Sequence, residues 1–121
     1  MALPDGAARG RCLDFSGATT VGQMMAIVAD SELVIANDSA PLHMAVGFQR
    51  PLLGLFGPTD PALVGPYRRD GCVLRSDEAR AFRGNYRDRS LGDRLMRGIA
   101  TDDVVRALEG GAASSGLERR P

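Results

Sequence analysis

The sequence predicts an α/β domain in which a parallel sheet is flanked by helices. Three observations support this: continuous apolar runs at residues 33–36 and 51–56, helical spacing of apolar residues around them, and short connections. Continuous apolar runs are typical of strands covered on both faces, and strands that alternate with helices form parallel sheets. The carboxyl ends of such strands lie at one edge, where ligands bind.

The first predicted helix begins at a capping box. Thr20 and Gln23 have the spacing in which a hydroxyl accepts from a backbone N–H and an amide reaches back. A helix is therefore predicted over residues 21–29, followed by a strand over residues 33–36. Four apolar side chains are expected to form the buried stripe of this helix: Val21, Met24, Met25 and Val28.

Further helices and strands are predicted after the first strand. Pro41 in the first turn and Gly47 at the end bound a helix over residues 40–46. The apolar run at 51–56 predicts the second strand. The remaining elements are a short helix over 61–64, a third strand over 72–75, a loop over 76–92, and a closing helix over 102–109 that buries Val104, Val105 and Leu108.

One incomplete domain is predicted over residues 12–109, with an irregular or disordered stretch at 1–11 and a disordered tail at 110–121. The hydrophobic fraction of 44% is that of a soluble globular protein. No apolar run approaches the roughly 20 residues of a membrane span, and no secretory signal is evident, so a cytoplasmic chain is expected. Cys12 and Cys72 lack a CxxC spacing and are expected to be buried.

Charge is balanced overall but polarised along the chain. The sequence has 15 acidic and 15 basic residues, and every basic residue is an arginine. Residues 68–97 carry nine arginines and five acids, whereas residues 1–67 carry three arginines and six acids. The basic segment suits an anionic substrate or membrane surface, or a solvated loop with ion pairs, and the loop is favoured. No nucleic-acid motif accompanies it, so no nucleic-acid partner is expected.

Two polar clusters follow the first two predicted strands, at residues 37–39 and 57–60. Asp38 and Ser39 lie where a strand passes into a helix, and helix N-termini bind anions. A carboxylate repels a phosphate, so Asp38 is assigned to sugar hydroxyls. Alternatively, Asp38 or Ser39 only caps the helix.

His43 is the only histidine and lies one helical turn after Ser39. It either donates to a phosphate or hydroxyl at the helix start or is a structural residue. Thr59 and Asp60, in a loop stiffened by prolines, either contact a ligand or cap the next helix. The sequence has no Ser-His-Asp pattern, no Walker loop and no metal-ligand spacing, so no catalytic residue and no metal is assigned.

These residues together resemble a known family. NDSAPLHMA followed by PLLGLFGPTDPALVGPY is similar to the C-terminal, donor-binding domain of glycosyltransferase family 9, the ADP-heptose:lipopolysaccharide heptosyltransferases. The similarity runs from about residue 13 to residue 108. The resemblance implies the C-terminal half of a GT-B fold with a partial Rossmann-like sheet. It also implies metal-independent, inverting transfer of heptose from ADP-heptose to the lipopolysaccharide inner core, with no cofactor.

The resemblance also assigns roles to individual residues. The family motif D-[ST]-G-x-x-H-x-A falls on Asp38, Ser39, Ala40, His43 and Ala45. Asp38 would hold sugar hydroxyls, Ser39 and Ala40 would meet the diphosphate, and His43 would support that contact. Ala40 replaces the usual glycine, and NYRDRSLGDRLM replaces a cysteine-bearing segment. The family's GPTDP loop falls on Gly57, Pro58, Thr59, Asp60 and Pro61.

In the family, the acceptor-binding domain and the catalytic carboxylate lie in an N-terminal half that these 121 residues do not include. A truncated product, a domain fragment or one half of a split enzyme is therefore expected, with negligible transferase activity alone. The lipopolysaccharide core would be a partner through the other domain, at the periphery of the inner membrane. Alternatives are a non-catalytic module that binds a nucleotide sugar or anion, and an interaction fragment.

Overall fold

The computed structural model describes residues 12–84, 89–114 and 116, and its centre is a three-stranded parallel sheet. The register places Asn37 opposite Leu55, and Leu55 opposite Leu74, so the carboxyl ends of the strands meet at one edge. This confirms the predicted parallel α/β sheet. The strands lie in the order β1 (Val34–Asn37), β2 (Leu52–Leu55) and β3 (Val73–Leu74).

Helices surround this sheet. The described residues include two short 3-10 helices, Asp70–Cys72 and Ala112–Ser114. None of the helices in the described part of the chain is long and apolar enough to cross a membrane. The α-helices are α1 (Val21–Asp30), α2 (Ala40–Gly47), α3 (Pro61–Val64), α4 (Asp77–Ala81), α5 (Arg89–Arg97) and α6 (Thr101–Glu109).

The capping box of α1 is formed as predicted. The Thr20 hydroxyl accepts from the Gln23 N–H at 3.2 Å, and the Gln23 side-chain oxygen accepts from the Thr20 N–H at 2.9 Å. Together they satisfy donors that have no partner inside the helix.

Helix α2 ends at Gly47, but its left-handed residue is Gln49, with φ of 53°. The Gln49 N–H donates to the Val46 carbonyl at 3.0 Å, and the Arg50 N–H donates to the Ala45 carbonyl at 2.9 Å. These two bonds form the Schellman arrangement that satisfies the last carbonyls of a helix. Gly47 therefore ends the helix without supplying its left-handed turn.

The main core lies on the face of the sheet that carries Val34 and Leu52, which are opposite each other in register. Leu53 points to the other face and is only 1% exposed, and the 3-10 helix Ala112–Ser114 packs against β2. Strand β2 is thus covered on both faces, as its continuous apolar run predicts. The core cluster consists of Val28, Val34, Leu42, Ala45, Leu52, Phe56 and Cys72.

Some burial predictions are wrong. In α1 only Val28 is buried, while Val21 is 65% exposed and Met25 40% exposed. No residue of α6 is buried, and Val105 is 46% exposed. A helical stripe is buried only where another element covers it. The prediction that both cysteines are buried is correct for Cys72, which lies in the core, and wrong for Cys12, which is exposed.

The predicted loop over residues 76–92 is also wrong, because it contains α4 and the start of α5. The Ser76 hydroxyl accepts from the Ala79 N–H at 3.2 Å and thereby caps α4. The same hydroxyl donates to the Leu95 carbonyl at 3.1 Å, and Leu95 is fully buried. The sequence contains this signal, a serine followed by Asp77 and Glu78 in the first turn.

Within the predicted disordered tail at 110–121, the described residues include a short helix. Residues 112–114 form a 3-10 helix that contacts α6 and β2, and Ala113 is only 7% exposed. The small side chains of this segment permit close packing against the sheet. The predicted irregular N-terminus at residues 1–11 lies outside the described residues, as do residue 115 and residues 117–121.

Candidate functional site

A cavity of about 190 Å³ lies at the carboxyl edge of the sheet, where β1 and β2 end. The structure thus brings together the two polar clusters that the sequence places at this edge. The residues that line the cavity are Asn37 and Asp38 after β1, Leu55, Gly57, Pro58 and Thr59 at the end of β2, and Gly92 and Met96 of α5.

Among the described residues that line this cavity, Asp38 is the only charged one. Its Oδ1 lies 3.8 Å from Nε2 of His43, too far for a hydrogen bond but close enough for an ion pair when the imidazole is protonated. The Asp38 side chain is 26% exposed, and no described residue donates a hydrogen bond to it. Its carboxylate oxygens are therefore available to ligand hydroxyls.

No side chain caps the start of α2, although Ser39 occupies the N-cap position. The Ser39 hydroxyl donates to the Asn37 carbonyl at 3.2 Å instead of accepting from the helix. Pro41 has no N–H, and no described group accepts from the N–H of Ala40. The capping alternative for Asp38 and Ser39 is thus not what the geometry shows, and a helix N-terminus remains open beside Asp38.

Ala40 occupies the position where the family usually has glycine. Its backbone does not have the positive φ that favours glycine, so alanine fits here without strain. The substitution therefore adds only a methyl group at the start of α2. His43, on the next turn, has a side chain that is 50% exposed.

The second cluster is positioned by close contact with α5. Gly57 is buried, and a Cβ at this position would lie 3.1 Å from both Cγ and Sδ of Met96. On α5, a Cβ at Gly92 would lie 3.7 Å from Cγ of Pro58. The contact at Gly57 is tight, whereas that at Gly92 is an ordinary van der Waals distance, so it is Gly57 that lets the loop approach α5 closely.

Thr59 and Asp60 have different positions in this loop. Thr59 lines the cavity, whereas the Asp60 carboxylate accepts from the Ala62 N–H at 3.0 Å and caps α3. The capping alternative therefore holds for Asp60, which borders a different cavity. Pro58 lines both cavities.

Gly92 and Met96 are site residues that the sequence does not predict. The predicted loop over 76–92 includes Gly92 and ends before Met96. The internal glycine lowers helix propensity, although Leu91, Leu95 and Met96 recur at helical spacing and are a local signal for a helix.

The cavity combines one carboxylate, an amide, a hydroxyl and apolar walls, with an open helix N-terminus next to it. Such a set suits a ligand with several hydroxyl groups and one anionic group. Among the described residues, no group of three or more His, Cys, Asp or Glu side chains could hold a metal ion.

Known proteins similar to this chain include several heptosyltransferases. The chain is 30% identical over 81 residues to lipooligosaccharide heptosyltransferase 2 of Haemophilus influenzae. These residues are 67% of this chain and 23% of that protein. It is 31% identical over 64 residues to lipopolysaccharide heptosyltransferase 2 of Escherichia coli, covering 53% of this chain and 18% of the relative. The matched part therefore spans about a quarter or less of these relatives.

No solved structure matches this chain significantly. The family model described as glycosyltransferase family 9 (heptosyltransferase) matches residues 4–90, which is more than half of the chain and includes both polar clusters. This confirms the resemblance carried by the Asp38 motif and the loop at 57–61. The chain belongs to glycosyltransferase family 9, the heptosyltransferase family.

Proposed function

We propose that this chain forms the donor-binding part of a heptosyltransferase that moves heptose from ADP-heptose to the inner core of lipopolysaccharide. The observation that carries the proposal is the meeting of Asp38 with residues 57–59 in one cavity at the sheet edge. Membership of the family supports the reaction class, and the relatives are named as lipopolysaccharide or lipooligosaccharide heptosyltransferases.

In this proposal the site residues divide the donor between them. Asp38 accepts hydrogen bonds from the sugar hydroxyls, because its carboxylate is unoccupied and would repel a phosphate. The N–H of Ala40 and the hydroxyl of Ser39 meet the diphosphate at the start of α2. His43, 3.8 Å from Asp38, donates to the same region.

The loop at 57–60 forms the opposite wall of the proposed site. Gly57 and Pro58 give the loop its shape against α5, and Thr59 offers a hydroxyl to the sugar. Asp60 supports the loop by capping α3 and does not reach the donor in this proposal. Of the two polar side chains in this loop, Thr59 and Asp60, the proposal thus assigns only Thr59 to ligand contact.

An inverting transfer needs a base for the acceptor hydroxyl and stabilisation of the leaving diphosphate. The open N-terminus of α2 supplies the stabilisation, since it places a backbone donor and a helix dipole beside the diphosphate. Asp38 is occupied by the sugar. We therefore assign the base to an acceptor-binding domain outside the described residues, and expect negligible transfer by this chain alone.

The acceptor of the proposed reaction is a saccharide linked to a membrane lipid, so we place the enzyme in the cytoplasm, at the periphery of the inner membrane. The excess of arginine over acidic residues between 68 and 97 supports attraction to an anionic surface.

Calorimetric titration of the 121-residue chain with ADP-heptose and with ADP tests the proposal. We expect both to bind, and we expect Asp38→Ala to weaken ADP-heptose binding about tenfold or more, because a hydrogen-bonded charged group is lost. ADP binding should change less. The matched control is Asp30→Ala, at the exposed end of α1.

Failure of the folded chain to bind either ligand would contradict the proposal and favour the interaction fragment. Equal weakening of ADP and ADP-heptose by Asp38→Ala would contradict the assignment of Asp38 to the sugar. Binding without turnover, even when an acceptor-binding domain and acceptor are supplied, would identify a non-catalytic nucleotide-sugar module.

A further inference from the structure

We propose that a second cavity, on the other side of Pro58, binds a phosphate or carboxylate group of the acceptor saccharide. This proposal rests on the proposed function, since it assigns the ligand to the acceptor of the same reaction. The cavity has a volume of about 230 Å³ and is lined by Pro58, Asp60, Arg75, Arg80, Phe82 and Arg83.

The charged residues of this cavity favour an anion. Its three arginines outweigh one carboxylate and leave a net charge of +2. The carboxylate belongs to Asp60, which already accepts from the Ala62 N–H. No described carboxylate forms an ion pair with Arg75, Arg80 or Arg83, whereas ion pairs occupy Arg94, Arg97 and Arg106.

Arg75 links this cavity to the donor loop. Its Nη2 donates to the Ala79 carbonyl at 2.6 Å and approaches the Gly57 carbonyl at 3.5 Å. Its Nε is buried and has no hydrogen-bond partner among the described residues. A buried donor of a charged group that lacks a partner is costly, and an oxyanion beside this partly buried guanidinium offsets that cost.

Arg83 is held in a fixed position near the end of α4. Its Nη1 donates to the carbonyls of Arg80 and Phe82, each at 2.8 Å. A guanidinium that is already oriented loses less entropy when it binds a phosphate or carboxylate, and its remaining donors match the geometry of those groups. Arg80 is exposed and has no described side-chain partner, so it can close on a ligand.

A larger cavity of about 450 Å³ also borders Arg75 and Arg80. It is less suited to an anion because it contains Asp77 and Asp103, and Asp103 is paired with Arg106 there. Arg75, Arg80 and Arg83, which form no ion pair with a described residue, line the smaller cavity together.

The position of the smaller cavity indicates which substrate carries the anion. A transferase must hold donor and acceptor side by side with their reacting atoms within reach. Pro58 lines both cavities, and the donor diphosphate is assigned to the N-terminus of α2, where Asp38 is the charged lining residue. The basic cavity beyond Pro58 therefore faces a different substrate, which is the acceptor.

Nuclear magnetic resonance of the ¹⁵N-labelled chain tests this assignment with inorganic phosphate and with glucose 6-phosphate, a sugar phosphate without a nucleotide. We expect both to shift the backbone amides of residues 75–83 and the Nε–Hε signals of Arg75 and Arg83. The shifts at residues 75–83 should persist with saturating ADP, which occupies the start of α2, and phosphate should then leave the amides of Asp38 to Ala40 unmoved. This result identifies the anion site as separate from the donor site.

Arg80→Gln and Arg83→Gln should each weaken phosphate binding about tenfold, the effect of losing one charged hydrogen bond. The matched control is Arg97→Gln, an exposed arginine already paired with Asp93. Equal weakening by Arg97→Gln, or equal shifts at all exposed arginines, would mean that phosphate is attracted by the general charge of the surface. Either result would overturn the proposal. Displacement of phosphate by ADP would assign the arginines to the donor and also overturn it.

The two proposals fail separately in this experiment. Absence of ADP shifts at Asp38 to Ala40 would contradict the donor site, while phosphate shifts at Arg83 would still support the anion cavity. Arg80→Gln removes an exposed side chain without described contacts, so an unchanged spectrum elsewhere shows that the variant remains folded.

Discussion

Two neighbouring strands of this small sheet, β1 and β2, differ in how completely the same face is covered. Ile35 of β1 and Leu53 of β2 are opposite each other in register and share a face, yet Ile35 is 46% exposed and Leu53 is 1% exposed. Both belong to apolar runs that predict covered strands. The difference shows that an apolar strand sequence permits burial on both faces. Whether both faces are buried depends on the elements that pack against the strand.

Large exposed apolar residues are concentrated in the N-terminal part of the described chain. Seven large apolar side chains between residues 13 and 35 are more than a third exposed, whereas β2 has none. Exposed apolar surfaces are typical of interfaces with further protein. The seven residues are Leu13, Phe15, Val21, Met25, Ile27, Leu33 and Ile35.

The largest expected effect compares Leu53→Ala with Ile35→Ala. Leu53→Ala should lower the free energy of unfolding by about 2–5 kcal/mol, because it removes a buried side chain and leaves a cavity. Ile35→Ala should cost less than half as much, since Ile35 is 46% exposed. Urea denaturation of both variants measures the difference. Equal losses would show that this face of β1 is covered in solution.

Alanine substitution of a glycine in β2 and of a glycine in α1 should change the stability of the chain in opposite directions. A Cβ at Gly54 of β2 would lie 2.9 Å from Cε2 of Phe56, whereas a Cβ at Gly22 of α1 would meet nothing within 4 Å. Gly54→Ala should therefore destabilise the chain by about 1–3 kcal/mol through overpacking. Gly22→Ala should stabilise it by about 0.5–1 kcal/mol through helix propensity. Thermal unfolding decides this, and destabilisation by Gly22→Ala would refute the open environment of α1.

The smallest expected effect is a difference in stability between substitutions at the N-caps of α1 and α2. Thr20→Ala should cost about 0.5–2 kcal/mol, because the Thr20 hydroxyl caps α1. Ser39→Ala should cost less, since the Ser39 hydroxyl bonds only to the Asn37 carbonyl. Guanidinium denaturation of both variants measures the two costs. A larger loss for Ser39→Ala would mean that this hydroxyl caps α2 in solution and is not open to a ligand.

Local signals allowed much of the fold to be predicted. The capping box at Thr20, the proline in the first turn of α2 and the Asp60-Pro61 start of α3 act within a few residues, so the sequence alone reveals them. Helix α5 was not predicted, although Leu91, Leu95 and Met96 have helical spacing, because its internal glycine lowers helix propensity. The exposure of Val21 could not be predicted either, since it depends on which element lies across from α1.

The candidate site was predictable in part for the same reason. Asp38 and residues 57–59 follow strands, and the geometry of parallel sheets brings strand ends together. Met96 and Gly92 reach the cavity only because α5 folds back onto the loop, a contact that no short-range pattern encodes. Likewise, only the structure shows that Asp60 caps α3 while Thr59 faces the cavity.

The contact between α5 and the loop after β2 makes these two segments depend on each other for stability. A helix of nine residues with an internal glycine is not stable alone in water, so α5 relies on its tertiary contacts. The loop in turn has Met96 and Gly92 as neighbours that fix its position. Loop and helix therefore form one cooperative unit, and a local opening of α5 would dismantle the cavity while the sheet remains folded.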